Sequence, residues 1–423
     1  MSVEVLSTVL LAVALVHSFI TPVFAQFSKK FKQGSGLEAF FHLLSEVEVV
    51  FGFWAIIFLT ISSISYGAMP MLSYARSLQM TEPLFVFCIM ILASSRPVVT
   101  IARSILLGLV KILCRLLPVD EKVIQVFVLL GVGPLLGSLI TEPAAITILA
   151  LLLYRMLDKV DEKLLYGVLA LLFVNVSIGG GLTHFAAPPI LIVAHKFGWS
   201  LKDVFVQIGE AVICTTLVNA LVFCFIFKNK IKAQIQKLEP EHYPMPVWLT
   251  VTHLLFMTGI VLAAHQDIIF VGLFLAFIGL TTVTKKYQDG LKFREAFLVA
   301  FFLAGLIVFG SLQKWWVTPI LQALTEKTLY FIATALTAVT DNAALTYLGS
   351  QVEGLTESSK WALVSGAITG GGLTILANAP NPAGFAILSE KFPDKSLNAL
   401  KLFLAALVPT VIAIGFFMIF GNF

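Results

Sequence analysis

Charged residues are scarce in this sequence, and their scarcity excludes a soluble globular protein. Asp, Glu, Lys and Arg make up only 12% of the 423 residues, about half of the ~25% that is usual in soluble domains. The longest polar stretch covers only residues 228–246. Because 58% of the residues are hydrophobic and the mean hydropathy is +0.96, we expect the apolar runs to lie in a lipid bilayer.

Cysteine pairs, a strong charge imbalance and catalytic signatures are missing as well. The net charge of +4 is small and the lysines lie in short loops, so the sequence indicates no nucleic-acid surface. It contains no HExxH or GxSxG motif, which argues against an intramembrane enzyme, and it indicates no cofactor. The cysteines form no CxxC pair and are predicted to be small core residues rather than disulfides or metal ligands. They are Cys88, Cys114, Cys214 and Cys224.

Apolar runs of membrane-spanning length occur along the whole chain. A crossing helix needs about 20 residues, and the runs predict roughly ten to twelve membrane segments, some of them re-entrant. They begin at Val3, Val47, Leu84, Val123, Leu164, Val204, Val247, Ile268, Ala296, Leu329, Trp361 and Leu397. The first run precedes a Val-Phe-Ala sequence that is similar to a signal-peptide cleavage site. No lysine or arginine precedes that run, so we expect a retained first helix.

Basic loops divide the chain and predict its orientation. We distinguish an N-terminal helix (residues 1–30), a first half (31–227), a basic cytoplasmic linker (228–246) and a second half (247–423). Lysine-rich loops face the cytoplasm by the positive-inside rule. We therefore expect a multi-pass protein of a bacterial inner membrane.

Two stretches are too long or too broken for a single straight helix. Residues 123–157 are apolar throughout but contain Gly-Val-Gly-Pro and Thr-Glu-Pro, which predicts a re-entrant hairpin followed by a broken helix. Residues 164–194 are interrupted in the same way by three glycines at 179–181.

These interruptions belong to an internal repeat. Residues 141–149 (TEPAAITIL) match residues 340–348 (TDNAALTYL) at five of nine positions, with an acid at the second position of each. Further along, GGGLT at 179–183 recurs at 370–374, and an Ala-Pro pair follows each copy. Duplicated segments interrupted by Gly and Pro are typical of a transporter binding site, because backbone that unwinds within lipid must line a cavity.

The two repeated acids are the predicted centre of this site. A carboxylate in the membrane costs at least ~2.5 kcal/mol unless it is paired, hydrated or protonated, so Glu142 and Asp341 indicate an ion or proton path. A salt bridge to a helix-end lysine or arginine is the alternative for both, and Pro143 leaves a helix-capping role open for Glu142. Since hard cations prefer oxygen ligands, we predict a site for a hard cation at both acids. The predicted ion ligands are Glu142, Asp341, Asn342, Thr141, Thr340, Thr147 and Thr346.

The glycine interruptions supply the predicted cavity wall. Glycine permits unwinding and a close approach of the backbone to a ligand. The predicted lining residues are Gly179, Gly180, Gly181, Thr183, Gly370, Gly371, Gly372, Thr374, Asn378 and Asn381. Glu210 and His184 are predicted members of a proton path, although the second half has Ile375 where the first has His184, which leaves a local role open for the histidine.

The repeated motifs resemble those of a known group of transporters. Residues 337–346 (TAVTDNAALT), followed by GGGLTILANAPNPA at 370–383, resemble the ion-transporter superfamily, and within it the NhaD-type and other Na+/H+ antiporters. Arsenite-efflux and citrate or dicarboxylate carriers are relatives. The resemblance implies two inverted repeats, each with a re-entrant hairpin and a broken helix, in a homodimer. It also implies site roles for Asp341, Asn342, Gly370 to Gly372, Asn378 and Asn381. The first half departs from the pattern, with Thr-Glu-Pro in place of an Asp-Asn pair and Ala186-Ala187 where Ala-Asn is common.

Together these observations predict an all-α polytopic membrane protein that works as a secondary active transporter. The leading hypothesis is exchange of a monovalent cation, Na+ or Li+, for protons by alternating access at a midplane carboxylate site, with Na+ bound at Glu142 and Asp341. Burial raises the pKa of a carboxyl group and a bound cation lowers it, so proton and cation exclude each other. The alternative is a Na+-coupled carrier of a small organic or inorganic anion, since helix N-termini within the membrane suit anions. No lysine or arginine lies in either motif, which favours the cation.

Overall fold

The computed structural model describes residues 2–238, 245–264 and 266–421, and within these ranges it contains helices and no strands. In chain order the α-helices are α1 (Val3–Ser28), α2 (Gly36–Leu44), α3 (Val47–Tyr66), α4 (Ala68–Ser77), α5 (Thr81–Ala93), α6 (Arg96–Leu116), α7 (Glu121–Phe127), α8 (Gly137–Ile140), α9 (Glu142–Met156), α10 (Glu162–Gly179), α11 (Pro188–Phe197), α12 (Leu201–Gln234), α13 (Val247–Leu262), α14 (Asp267–Val283), α15 (Phe293–Gly310), α16 (Lys314–Gln322), α17 (Glu326–Thr337), α18 (Asn342–Ser350), α19 (Glu357–Gly370), α20 (Asn381–Leu388) and α21 (Ala399–Phe420). A π-helix covers Val128–Val132, and 3-10 turns cover Gly133–Leu136, Gly180–Leu182, Lys285–Tyr287, Ser311–Gln313, Ser389–Lys391 and Pro393–Lys395.

Many of these helices are suited to a bilayer. Among the described residues, eight helical segments are long and apolar enough to cross a membrane, and a ninth results if the bent pair α4–α5 counts as one span. The helices α13 and α14 are apolar but shorter, and they correspond to the predicted apolar runs that begin at Val247 and Ile268. The predicted all-α polytopic membrane fold is confirmed. The inverted relation of the two halves stays a prediction.

The chain forms two compact units, and neither coincides with a predicted sequence half. Unit 1 contains residues 1–88, 293–324 and 347–355, and unit 2 contains residues 89–292, 325–346 and 356–423. Each unit therefore takes residues from both halves. The predicted basic linker at 228–246 is helical over its first residues, because α12 continues to Gln234. Residues 239–244 of that linker lie outside the described residues.

Unit 1 is built around α3, which packs against α1, α4 and α15. Polar contacts within it tie the first helix to the end of α15. Gln313 donates hydrogen bonds to the Ser7 hydroxyl (2.9 Å) and to the Phe309 carbonyl (3.1 Å), and the hydroxyl of Thr8 donates to Gln313 (2.8 Å). The Gln313 amide, which is fully buried, thus finds its partners on neighbouring helices.

Unit 2 is built around α10, whose residues are almost all buried. This helix packs against α9, α12, α19 and α21, and α9 also packs against α20. Side-chain caps fix the helix starts. Asp161 accepts the Leu164 N–H at the start of α10, Thr356 accepts the Ser359 N–H at the start of α19, and Ser200 forms a capping box at the start of α12. The long helices α10 and α19 therefore begin at comparable caps and end at the two triple-glycine segments.

Candidate functional site

The first half ends one of its helices in a strained turn next to a buried acid. The helix α9 folds back against α8 and the preceding 3-10 turn, so residues 121–156 form a hairpin. At its tip Thr141 has φ 74° and ψ 151°, a backbone conformation that glycine alone adopts without strain. Glu142 follows as the first residue of α9 and is fully buried. We refer to residues 138–142 as the first tip.

The second half forms a similar turn between α17 and α18. Asp341 precedes α18, and its Oδ1 atom accepts the N–H groups of Ala343 (2.8 Å) and Ala344 (3.1 Å). This is the hydrogen bonding of a helix N-cap. Asn342 begins α18 and is fully buried. We refer to residues 338–342 as the second tip.

Each tip is hydrogen bonded to the glycine break of its own half. We define the first break as residues 179–187 and the second break as residues 370–380. In the first half the Thr183 hydroxyl donates to the Ser138 carbonyl (2.7 Å), and the Glu142 N–H donates to the Ala186 carbonyl (3.4 Å). Both breaks use the same kind of link.

The second half repeats these two bonds. The Thr374 hydroxyl donates to the Ala338 carbonyl (2.9 Å), and the Asn342 N–H donates to the Ala377 carbonyl (3.1 Å). The sequence repeat predicted that Thr183 and Thr374 hold equivalent places, and both threonines bind the tip of their half. The internal repeat is therefore visible in the hydrogen bonds as well as in the sequence.

The two acids differ by one residue in their position relative to the start of the following helix. Glu142 and Asn342 are each the first residue of a helix and donate through the backbone to a break carbonyl. Thr141 and Asp341 each precede that residue. The sequence alignment pairs Glu142 with Asp341, whereas the structure pairs Glu142 with Asn342. One acid and one amide thus occupy equivalent buried positions.

The Glu142 carboxylate is held by a single amide from the other half of the sequence. Its Oε2 atom accepts a hydrogen bond from Asn378 Nδ2 (2.8 Å), and Asn378 lies in the second break. The Oε1 atom is buried and has no hydrogen-bond partner among the described residues. No lysine or arginine of the described residues pairs with this carboxylate. The salt bridge left open by the sequence is therefore absent for Glu142 in the described part of the chain.

Buried oxygens without a donor are concentrated around these two tips and breaks. Such atoms are costly in a protein interior unless a ligand or water binds them. Within the described residues they include Glu142 Oε1, Thr141 Oγ1, Asn342 Oδ1, Asn378 Oδ1 and Asn381 Oδ1. All five residues belong to the predicted site and to unit 2. The available ligand atoms are oxygens, including those of one or two carboxylates, and such ligands suit a hard cation.

Amide and hydroxyl groups connect the members of this cluster. Asn381 Nδ2 donates to the Gly371 carbonyl (2.8 Å) and to the Thr374 carbonyl (2.9 Å), which supports the unwound second break. Asn342 Nδ2 lies 3.5 Å from the Ser177 hydroxyl. Through these contacts both breaks and both tips form one continuous polar region inside unit 2.

Several predicted residues lie at the edge of this region or outside it. The hydroxyls of Thr147 and Thr346 bond back to carbonyls of their own helices, the alternative to ligation for such threonines, and Thr340 is half-buried. Glu210 is exposed on the surface of α12, and its place on a proton path stays a prediction. His184 is half-buried and its ring packs edge-to-face against Phe185.

Two serines that the sequence did not single out are central to the arrangement. The Ser138 hydroxyl donates to the Gly179 carbonyl (2.7 Å) and accepts the Leu182 N–H (2.8 Å), so it replaces backbone bonds lost at the first break. Ser177 donates to the Ile368 carbonyl (2.8 Å) and so joins α10 to α19. Single serines in apolar helices carry no spacing signal, and neither residue has a serine at the matching repeat position.

A polar link also crosses α10 at Asn175. Its Nδ2 atom donates to the Leu130 carbonyl of the π-helix (2.7 Å) and to the Thr216 carbonyl of α12 (2.9 Å), and its Oδ1 atom accepts from Asn219 (2.9 Å). All of these groups are buried. The link fixes the first arm of the hairpin against the two long helices of its half.

Comparison with known proteins gives a family for nearly the whole chain. Residues 2–420 match the family described as "Putative Na+/H+ antiporter". Among proteins of curated function, none matches this sequence significantly. The match includes both tips, both breaks and all of the buried oxygens described above.

Proposed function

Since the chain belongs to this family of Na+/H+ antiporters, we propose that it exchanges Na+ or Li+ for protons and that the Glu142 carboxylate holds either ion. The observation that carries the proposal is a fully buried carboxylate with one hydrogen-bonded and one unpartnered oxygen. An ionised carboxylate without a counter-charge is unfavourable in such surroundings, and a proton or a cation removes the cost.

The neutral oxygens of the cluster supply the remaining ligands in this proposal. Asn342, Asn378 and Asn381 each direct an unpartnered amide oxygen into buried space, and a Na+ ion coordinates oxygens of this kind. A proton on Glu142 needs no such ligands. Competition between the two ions for one carboxylate then couples their movement in opposite directions.

Alternating access is the transport mechanism that we propose for this site. Broken helices and hairpins at the midplane of the membrane permit the loaded site to open to either side. The arrangement of tips and breaks in unit 2 supports this mechanism, because it brings unwound backbone of both halves to one polar region.

Everted membrane vesicles with a pH-sensitive fluorescent dye provide the test. After a proton gradient has been formed, addition of NaCl or LiCl is expected to dissipate it in vesicles that contain the protein. Glu142→Gln, which keeps the shape of the side chain but not its charge, is expected to abolish the response. Glu390→Gln is the matched control, because Glu390 is an exposed carboxylate that accepts a hydrogen bond from Tyr154 (2.7 Å), and it is expected to behave like the wild type.

Two outcomes contradict the proposal. A Glu142→Gln variant that responds to Na+ like the wild type would show that this carboxylate does not carry the exchange. Dissipation by citrate or another small anion, with NaCl alone inactive, would favour a Na+-coupled anion carrier instead.

A further inference from the structure

Gly180 lies directly against the carboxyl group of Glu142. A β-carbon placed on Gly180 would lie 2.5 Å from both Cγ and Oε1 of Glu142 and 2.9 Å from its Cδ atom, closer than β-carbons approach other atoms in proteins. The contacted oxygen is the one without a hydrogen-bond partner. Gly180 therefore leaves open one side of the oxygen that is available to a cation.

The backbone at this position does not itself require glycine. Gly180 has φ −67° and ψ −11°, a right-handed conformation that alanine adopts readily. The absence of a side chain at residue 180 is thus explained by the space beside Glu142 and not by backbone strain.

The carboxyl group has little freedom to move away from an added methyl group. Its Oε2 atom is fixed by Asn378 (2.8 Å), the residue is fully buried, and its own N–H is bonded to the first break. A methyl group at residue 180 would therefore press on the Glu142 side chain from Cγ to Oε1, against these restraints, and would narrow the space beside Oε1.

We propose that Gly180 is a specificity-determining residue that sets the size of the cation accepted at Glu142. This inference rests on the proposed function and deepens it. With glycine the site accepts Na+, and with a larger residue it accepts the smaller Li+ in preference.

The equivalent glycine of the second half serves a different neighbour. A β-carbon on Gly371 would meet Ser177 and lie 2.9 Å from Asn342 Nδ2, and Gly371 has nearly the same backbone angles, φ −64° and ψ −11°. Gly108, within α6 and outside the tips and breaks, provides the control, because a β-carbon there would meet no atom within 4 Å.

The test compares the Na+ and Li+ concentrations that give half-maximal exchange in everted vesicles at one fixed pH. For Gly180→Ala we expect the ratio of the Na+ value to the Li+ value to rise by about tenfold, because one methyl group in a close-fitting site discriminates by about that factor or more. For Gly108→Ala we expect the wild-type ratio. Immunoblots of the vesicles establish that equal amounts of protein are present.

A second variant tests the same inference if Gly180→Ala does not reach the membrane. Glu142→Asp shortens the acid and increases the space between its carboxyl group and residue 180, so the ratio is expected to fall below the wild-type value. A wild-type protein that exchanges Na+ while Gly180→Ala or Glu142→Asp keeps the wild-type ratio would overturn the role of Gly180 and leave the proposed function intact. A wild-type protein without exchange would overturn the proposed function itself.

Discussion

The hydrogen bond from Asn378 to Glu142 offers the sharpest prediction about cation binding. Asn378→Ala removes the one described donor to this buried carboxylate together with an unpartnered amide oxygen of the same residue. A hydrogen bond to a charged group contributes about 1.5–3 kcal/mol, and each 1.4 kcal/mol changes an equilibrium constant about tenfold. The Na+ concentration for half-maximal exchange is therefore expected to rise by about ten- to a hundredfold.

The assay is the dequenching of a pH-sensitive dye in everted vesicles over a series of NaCl concentrations. Asn219→Ala is the matched control, because Asn219 is also a buried amide that donates one hydrogen bond (2.9 Å) but gives it to the neutral Asn175. This control is expected to lower the stability of the protein without changing the Na+ concentration for half-maximal exchange. A wild-type Na+ response of Asn378→Ala, at equal protein amounts, would refute the assigned role of this bond.

Two further predictions concern stability. Thr141→Gly is expected to raise the free energy of unfolding by about 1 kcal/mol, because the relief of about 1–3 kcal/mol of backbone strain exceeds the loss from the greater flexibility of glycine in the unfolded chain. Thr340→Gly is the control, since its position has no positive φ, and it should lower the free energy of unfolding. Equal unfolding temperatures of the two variants in detergent would contradict this reasoning. At Asp161 burial raises the pKa, but hydrogen bonds from Lys230 and the Leu164 N–H outweigh it, so the pKa lies below its usual range. The stabilisation by this ion pair is present above the usual carboxyl pKa and is lost as the pH falls through the lowered value. Asp161→Asn, which keeps a helix cap, should therefore unfold at a lower temperature than the wild type at pH 7. The difference corresponds to at most about 1 kcal/mol and should disappear in acid. A difference in unfolding temperature that grows in acid would contradict this prediction.

The membrane fold and the positions of both breaks could be predicted because their signals are repeated or continuous. Scarcity of charge identifies apolar segments wherever they occur, and the two GGGLT copies identify each other. The structure gives both copies the same task, since Thr183 and Thr374 each donate to a carbonyl of their own tip. Duplication therefore indicated a shared structural role before any contact was known.

The register of the two acids could not be predicted in the same way. Matching identical residues aligns Glu142 with Asp341, because the neighbouring threonines and alanines agree. The backbone bonds to Ala186 and Ala377 instead align Glu142 with Asn342. Shifting the alignment of the two segments by one residue leaves their composition unchanged and their similarity little changed. The shift nevertheless decides which side chain occupies the buried position at the start of each helix.

The sequence also did not reveal which side of a single long helix is buried. Glu210 lies within a 34-residue helix whose apolar residues occur on all sides, so no periodicity distinguishes its exposed face from its packed face. Ser138 and Ser177 were missed for the opposite reason, because their importance comes from partners on other helices and not from their neighbours in sequence.

The paired bonds between tips and breaks limit which parts of the protein can move separately. Movement of one tip relative to its own break would break a backbone hydrogen bond and a threonine hydrogen bond at the same time. Within the bilayer core no lipid group can replace them. In each half, the tip and the break are therefore expected to move together as one piece. In the proposed exchange, the displacement that opens the site to either side therefore has to take place at the outer boundaries of these pieces and not within them.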